Sequence, residues 1–275
     1  MAAINASDVA KLRNMTGAGM MDCKKALTEA DGDIDGAVDI LRKKGAASAA
    51  KKSGRDANEG VIAKFVSEDG KVGSLVEINC ETDFVAKNET FQQFAAEVAE
   101  KMTQDASVDL EAFRQEYVVK IGENIKITRH QRLEVNGVGA VAAYIHTGSK
   151  VGVMAEIGAT KEASLTSDAF KQLSHDITLQ IAAAIPTAVH RDQVDPELVA
   201  KEKAIAADQV QGKPAQVVDK IVSGKIDKWF QSICLIDQPF VKNGDETVQE
   251  YLVRVGKDLD DTLEVRQFIR FQVGE

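Results

Sequence analysis

Three cysteines, four histidines and a surplus of carboxylates are the side chains of this chain that could do chemistry. Cys23, Cys80 and Cys234 are odd in number and far apart, a pattern of reduced thiols rather than of a disulfide framework. No Cys-x-x-Cys pair occurs and the histidines show no ligand spacing, so no metal site is expected. Gly17-Ala18-Gly19-Met20-Met21-Asp22 imitates a dinucleotide loop, yet Asp22 replaces the last glycine and no strand precedes it. The Gly-Lys pairs at 70, 212, 224 and 256 lack the upstream glycine of a phosphate-binding loop. A nucleophile elbow and a paired-histidine zinc helix are missing as well. With no acid, base or nucleophile set apart, and no cofactor motif, the chain reads as a non-enzyme that works by contact.

Contact chemistry has a candidate. A strand ending at Cys80 runs into Glu81-Thr82-Asp83-Phe84-Val85-Ala86-Lys87-Asn88 before the next helix. Strand-to-helix junctions usually face solvent. An acid followed by an aromatic there suits a wedge, the ring entering a pocket while the carboxylate steers polar groups. Two readings stand side by side: the wedge, or Thr82 or Asp83 capping the next helix while Phe84 folds back onto the core.

The elements that would hold this loop follow from periodicity and punctuation. Residues 1–45 read as three short helices, the first capped by Ser7 with Asp8 in its first turn and stopped by Gly17. The second runs from about Gly19 to Ala30; the third carries Ile34, Val38 and Leu41 and ends at Gly45. Residues 46–59 read as a linker or a frayed helix extension. Its Lys51, Lys52 and Arg55 follow Arg42, Lys43 and Lys44 as a solvated basic stretch, with local nucleic-acid contact the competing reading. Strands are expected at 61–66 and 72–80 around an Asp69-Gly70 turn, helices at 89–102 and 110–119, and a strand at 124–135.

The pattern then repeats. Residues 60–102 align with 139–181 at a constant offset of 79 without a gap, nine positions being identical, among them Gly73/Gly152, Glu77/Glu156 and Phe91/Phe170. Two diverged copies of one β-β-α unit account for this. In copy two the position of Phe84 is alanine: the scaffold is kept and the aromatic is gone. Pro196 and Pro214 open two further helices, at 197–210 and 215–230, separated by Gly212 as an αα-hairpin. A helix at 247–255 and a strand at 262–273 close the chain.

The fold class is therefore α+β, with an N-terminal helical module (1–54, including the basic linker), a core N-subdomain (55–138) and a core C-subdomain (139–275) carrying the hairpin insertion at about 195–230. A net charge of −9 opposes broad contact with nucleic-acid phosphates. No apolar run approaches the roughly 18–20 residues of a membrane span, and no secretory signal is expected at the start. A cytoplasmic protein binding neither nucleic acid nor membrane is expected.

Three stretches resemble the bacterial translation elongation factor Ts family, the nucleotide exchange factors of elongation factor Tu. They are Leu12-Arg13 with Thr16 through Leu27; Asn79 through Lys87; and Gln238-Pro239-Phe240-Val241 with the closing Phe268-Ile269-Arg270-Phe271. The resemblance implies a ubiquitin-associated (UBA)-like three-helix module and a two-subdomain α+β core with an antiparallel coiled-coil insertion. It implies that Thr82, Asp83, Phe84 and Val85 dislodge Mg²⁺ from the GTPase, so that GDP leaves. It further implies that Arg13, Met20, Met21 and His146 touch that partner. Met20 and Met21 lie about 100° apart on a helix, so one of them is expected to face outward as an adaptable contact. Some members continue beyond the final strand with a further helix; this sequence stops at Gly274-Glu275, and that contact is not expected here. A docking or chaperone-like adaptor is the reading from a different class, distinguished by silence toward GDP release.

Overall fold

The computed structural model describes residues 4–210 and 215–275 of the chain. Helices α1 (Ala6–Thr16), α2 (Met20–Glu29) and α3 (Ile34–Lys52) form the N-terminal module around Leu12, Cys23, Leu27 and Ala37. Asn5, not Ser7, caps α1, accepting from the Asp8 amide at 2.8 Å, and Ser7 donates its hydroxyl to the Asn5 side chain. Gly17 ends the helix in the left-handed region.

The third helix does not stop at Gly45. It continues to Lys52 because Ala46, Ala47, Ala49 and Ala50 are strong helix formers, and Lys51 and Lys52 in its last turn suit the negative helix end. Gly45 is buried where α3 crosses a core helix: a Cβ there would lie 3.2 Å from Val119 Cγ2.

Strands β1 (Glu59–Val66) and β2 (Val72–Cys80) form an antiparallel hairpin. The one-turn helix α4 (Asp83–Ala86), then α5 (Glu89–Gln104) and α6 (Glu111–Ile121), precede β3 (Lys126–Glu134), which pairs with β2. The second unit repeats this order: β4 (Gly139–Ile145), β5 (Val151–Gly158), the one-turn α7 (Glu162–Leu165) and α8 (Asp168–Ala184). After it come α9 (Pro196–Asp208), with Pro196 at its start, and α10 (Ala215–Ile233). The loop at Gly212 and Pro214, assigned from sequence as the hairpin turn, lies outside the described residues. A two-stranded ribbon, β6 (Pro239–Phe240) with β7 (Asn243–Thr247), is too short to leave a periodic signal and was not expected. Helix α11 (Val248–Asp258), with a Thr247/Glu250 capping box, leads to β8 (Glu264–Gln272), the third strand beside β5.

The fold is thus mixed helix and sheet with small antiparallel sheets, β1-β2-β3 and β4-β5-β8. Their registers coincide: Gly60 faces Asn79 as Gly139 faces Gly158, and the ladder slips at Glu77/Ile78 as at Glu156/Ile157. Strand alternation sends Val76, Ile78 and Cys80 to a core with Phe91, Phe94 and Val98 of α5. The opposite faces meet each other, Ile62, Leu75 and Leu133 packing with Val141, Met154 and Phe271. The Ile62 amide donates to Ser149 O at 2.7 Å and the Val141 amide to Gly70 O at 2.8 Å, so exchanging the copies maps one contact onto the other.

Among the described residues one β-branched side chain contradicts its local conformation. Ile185 ends α8 at φ 49° with its side chain 54% exposed. A β-branched residue in the left-handed region costs roughly 1–2 kcal/mol. Ile185→Asn, which tolerates that region, is expected to stabilise by about 1 kcal/mol, read as a higher urea midpoint at an unchanged slope.

Candidate functional site

Beyond β2 the chain must leave the sheet before α5 begins, and the exit is pinned. The Glu81 and Thr82 amides donate to one oxygen of Glu123 at 3.0 and 3.1 Å, and the Thr82 hydroxyl donates to the other at 2.7 Å. The same hydroxyl accepts from the Val85 amide at 3.3 Å, making Thr82 the N-cap of α4. In return, Glu81 accepts from the Asn124 amide at 2.6 Å, and the Asn124 side chain donates to Arg55 O at 2.8 Å. The segment after α3 and the start of β3 are thereby tied to this loop.

On the single turn so held, Ala86 is buried and Val85 packs against the α5 core, whereas Phe84 is 81% exposed. Successive helical residues differ by about 100°, so the turn that buries Val85 and Ala86 aims the Phe84 ring outward. The alternative in which Phe84 folds back is not what the chain does. A single exposed aromatic is ordinary on a surface; the mount distinguishes this one. Asp83 begins the turn and accepts from the Lys87 ammonium at 2.8 Å, which holds its carboxyl below the usual range. Cys80, under the loop, is turned inward and donates toward Thr82 O at 3.2 Å; burial pushes its thiol up to about 12, so it is no nucleophile at neutral pH.

The other candidates lie on separate elements. Arg13 is exposed in the last turn of α1. Met20 and Met21 open α2 and both face solvent, at 56% and 62%, rather than one pointing inward; Ala18, Cys23, Ala26 and Leu27 already fill that small core. Met15, which no sequence signal singled out, is exposed beside them in sequence and lines an apolar cavity of about 280 Å³ between the module and α6, with Val38, Leu41 and Val119. His146 is exposed at the β4–β5 turn, its Nδ1 3.0 Å from the Tyr144 hydroxyl. Among the described residues no hydrogen bond, ion pair or ring contact joins Thr82–Val85, the module residues and His146. Nor does any group of three or more His, Cys, Asp or Glu there form a metal-holding cluster, and no helix among those residues is long and apolar enough to cross a membrane.

Glu123 escaped the sequence reading because an acid after a helix-ending glycine is unremarkable locally. Its signal is topological, since only the fold brings it to residues 81–82. What this surface presents is an exposed aromatic ring beside a carboxylate paired with Lys87.

The family model described as Elongation factor TS matches residues 81–275. An elongation factor Ts of Clostridium perfringens (strain SM101 / Type A) is 44% identical, the match covering 99% of this chain and 93% of the relative. One from Nitratidesulfovibrio vulgaris (strain DP4) is 41% identical over 99% and 96%, and one from Trichlorobacter lovleyi is 42% identical over 99% and 93%.

Proposed function

The chain belongs to the elongation factor Ts family, and on that premise we propose that it is the guanine-nucleotide exchange factor of elongation factor Tu, acting in the cytoplasm without catalytic groups or a cofactor of its own. The observation that carries the reading is the Phe84 ring, held outward on a clasped turn whose counterpart in the second unit presents Ala163. In this mechanism Thr82, Asp83, Phe84 and Val85 enter the GTPase beside its Mg²⁺. Magnesium tolerates little departure from octahedral geometry, so a wedge that shifts its ligands loosens both metal and GDP.

The wedge does not act alone. Burying one phenylalanine stabilises by roughly 1.5–3 kcal/mol, or about one to two decades in rate at ~1.4 kcal/mol per decade. The remainder comes from a wider interface that prefers the nucleotide-free GTPase, with Arg13, Met20 and Met21 of a UBA-like module (1–54) and His146 of the C-subdomain (139–275) contributing. The N-subdomain (55–138) carries the wedge. Linkage makes the effect reciprocal: the factor weakens nucleotide binding, and incoming nucleotide expels the factor.

The test is release of a fluorescent GDP from elongation factor Tu. Micromolar amounts of this protein are expected to accelerate release by more than the about 10- to 100-fold that one buried ring supplies; no acceleration would leave the adaptor reading in its place.

A further inference from the structure

We infer that Glu123 is a positioning residue for the Phe84 wedge: its carboxylate, closed on Glu81 and Thr82, sets the direction in which the ring is presented. This rests on the exchange reading above. Helix α4 has four residues, too few to hold its own shape, because a first helical turn fixes several dihedrals for a single hydrogen bond. Its orientation therefore depends on what holds it from outside, the Thr82 cap at its start and the packing of Val85 and Ala86 on the core. The Thr82 hydroxyl gives its only proton to Glu123, which turns a lone pair toward the Val85 amide. Among the described residues no cation pairs with Glu123, and its charge is met by the Glu81 and Thr82 amides and that hydroxyl. Hydrogen bonds to an ionised acceptor are stronger than neutral ones, and three of them on one carboxylate are suited to fixing geometry.

The second unit shows which part of this is scaffold. Asp261 stands between α11 and β8 as Glu123 stands between α6 and β3. It accepts from the Thr160 amide at 2.9 Å and the Lys161 amide at 3.1 Å, the residues matching Glu81 and Thr82, as well as from the Thr160 and Ser164 hydroxyls. Burial works to raise the Asp261 carboxyl pKa, but these hydrogen bonds outweigh it and hold the group well below the usual range. Both sheets thus use a carboxylate to close the strand exit, and only the first mounts an aromatic on it. Asp261 supplies an internal control for what the clasp does to the fold alone.

Glu123→Ala and Asp261→Ala are compared in the full chain. In GDP release from elongation factor Tu over a range of factor concentrations, Glu123→Ala is expected to lower the plateau rate about tenfold, the scale of a wedge misplaced by a fraction of an ångström, with a half-saturating concentration within about threefold of the parent. Asp261→Ala is expected to keep the plateau rate within twofold while losing similar thermal stability. An unchanged plateau in Glu123→Ala, or an equal loss in both variants, overturns the inference. Should Glu123→Ala fail to fold, Glu123→Gln keeps the volume and one acceptor; about a threefold loss is expected there, and an unchanged plateau is equally fatal. Amide hydrogen exchange of the free protein reads the clasp without the partner: Thr82 and Val85 should exchange about tenfold faster in Glu123→Ala and not in Asp261→Ala. Unaltered protection overturns the clasp, whereas a parent chain that releases no GDP overturns the exchange reading instead.

Discussion

Replacing Phe84 by alanine is expected to slow stimulated GDP release by about 10- to 100-fold and to leave the unfolding midpoint where it is. The side chain is 81% exposed and belongs to no core cluster, so removing it takes little from the folded state; surface substitutions of this kind stay within about 0.5 kcal/mol. Its worth is realised only where the partner buries it. Which kinetic quantity falls is informative. A ring that enters as metal and nucleotide are displaced lowers the plateau rate, whereas one that merely anchors the complex raises the half-saturating concentration alone. Stopped-flow release of a fluorescent GDP over a range of factor concentrations separates the two. A variant with the parent's plateau rate would remove the wedge from the mechanism, even if binding weakened.

The second large effect lies in the fold. Gly152→Val is expected to destabilise by about 3 kcal/mol or more, at the upper end of what overpacking costs. A Cβ on Gly152 would lie 2.4 Å from Ile62 Cγ2 and 3.0 Å from Leu75 Cδ1, both fully buried where the two sheets meet. The matching Gly73 has the mirrored problem, its Cβ falling 2.8 Å from Val141 Cγ1 and 2.9 Å from Met154 Sδ. Each sheet thus leaves a gap that the other fills with an aliphatic side chain. Denaturant unfolding measures the loss. A double variant adding Ile62→Ala, itself costing about 2–5 kcal/mol, should cost clearly less than the sum, because one substitution opens the space the other needs. Strict additivity would show that the clash is relieved elsewhere.

Much of this architecture was legible in the residues. Asp69-Gly70 between two apolar runs marks the first hairpin, and the periodicity of Phe91, Phe94 and Val98 marks the helix over it; both signals are local. The offset of 79 was legible as well, and the shared registers and ladder slips of the two sheets show how closely the second unit copies the first. Local signals failed where the outcome depended on a distant element. Gly45 looked like a helix stop, yet the alanines after it carry α3 onward, and the glycine lies where Val119 of α6 comes close.

By itself the sequence determined that this protein repeats one unit and belongs with a known family. Each of these depends on residue types at fixed spacings, and spacing is written in the chain. Whether Phe84 pointed into the core or out of it was not written there, since a cap at Thr82 fixes where the turn starts and not what its faces meet. Tertiary structure decided it: Val85 and Ala86 are drawn onto a core that α5 builds with the β1–β2 hairpin, and Glu123, some forty residues away in sequence, holds the strand exit from the other side. Where a side chain points is a property of what else occupies the space around it, and only the assembled fold supplies those neighbours.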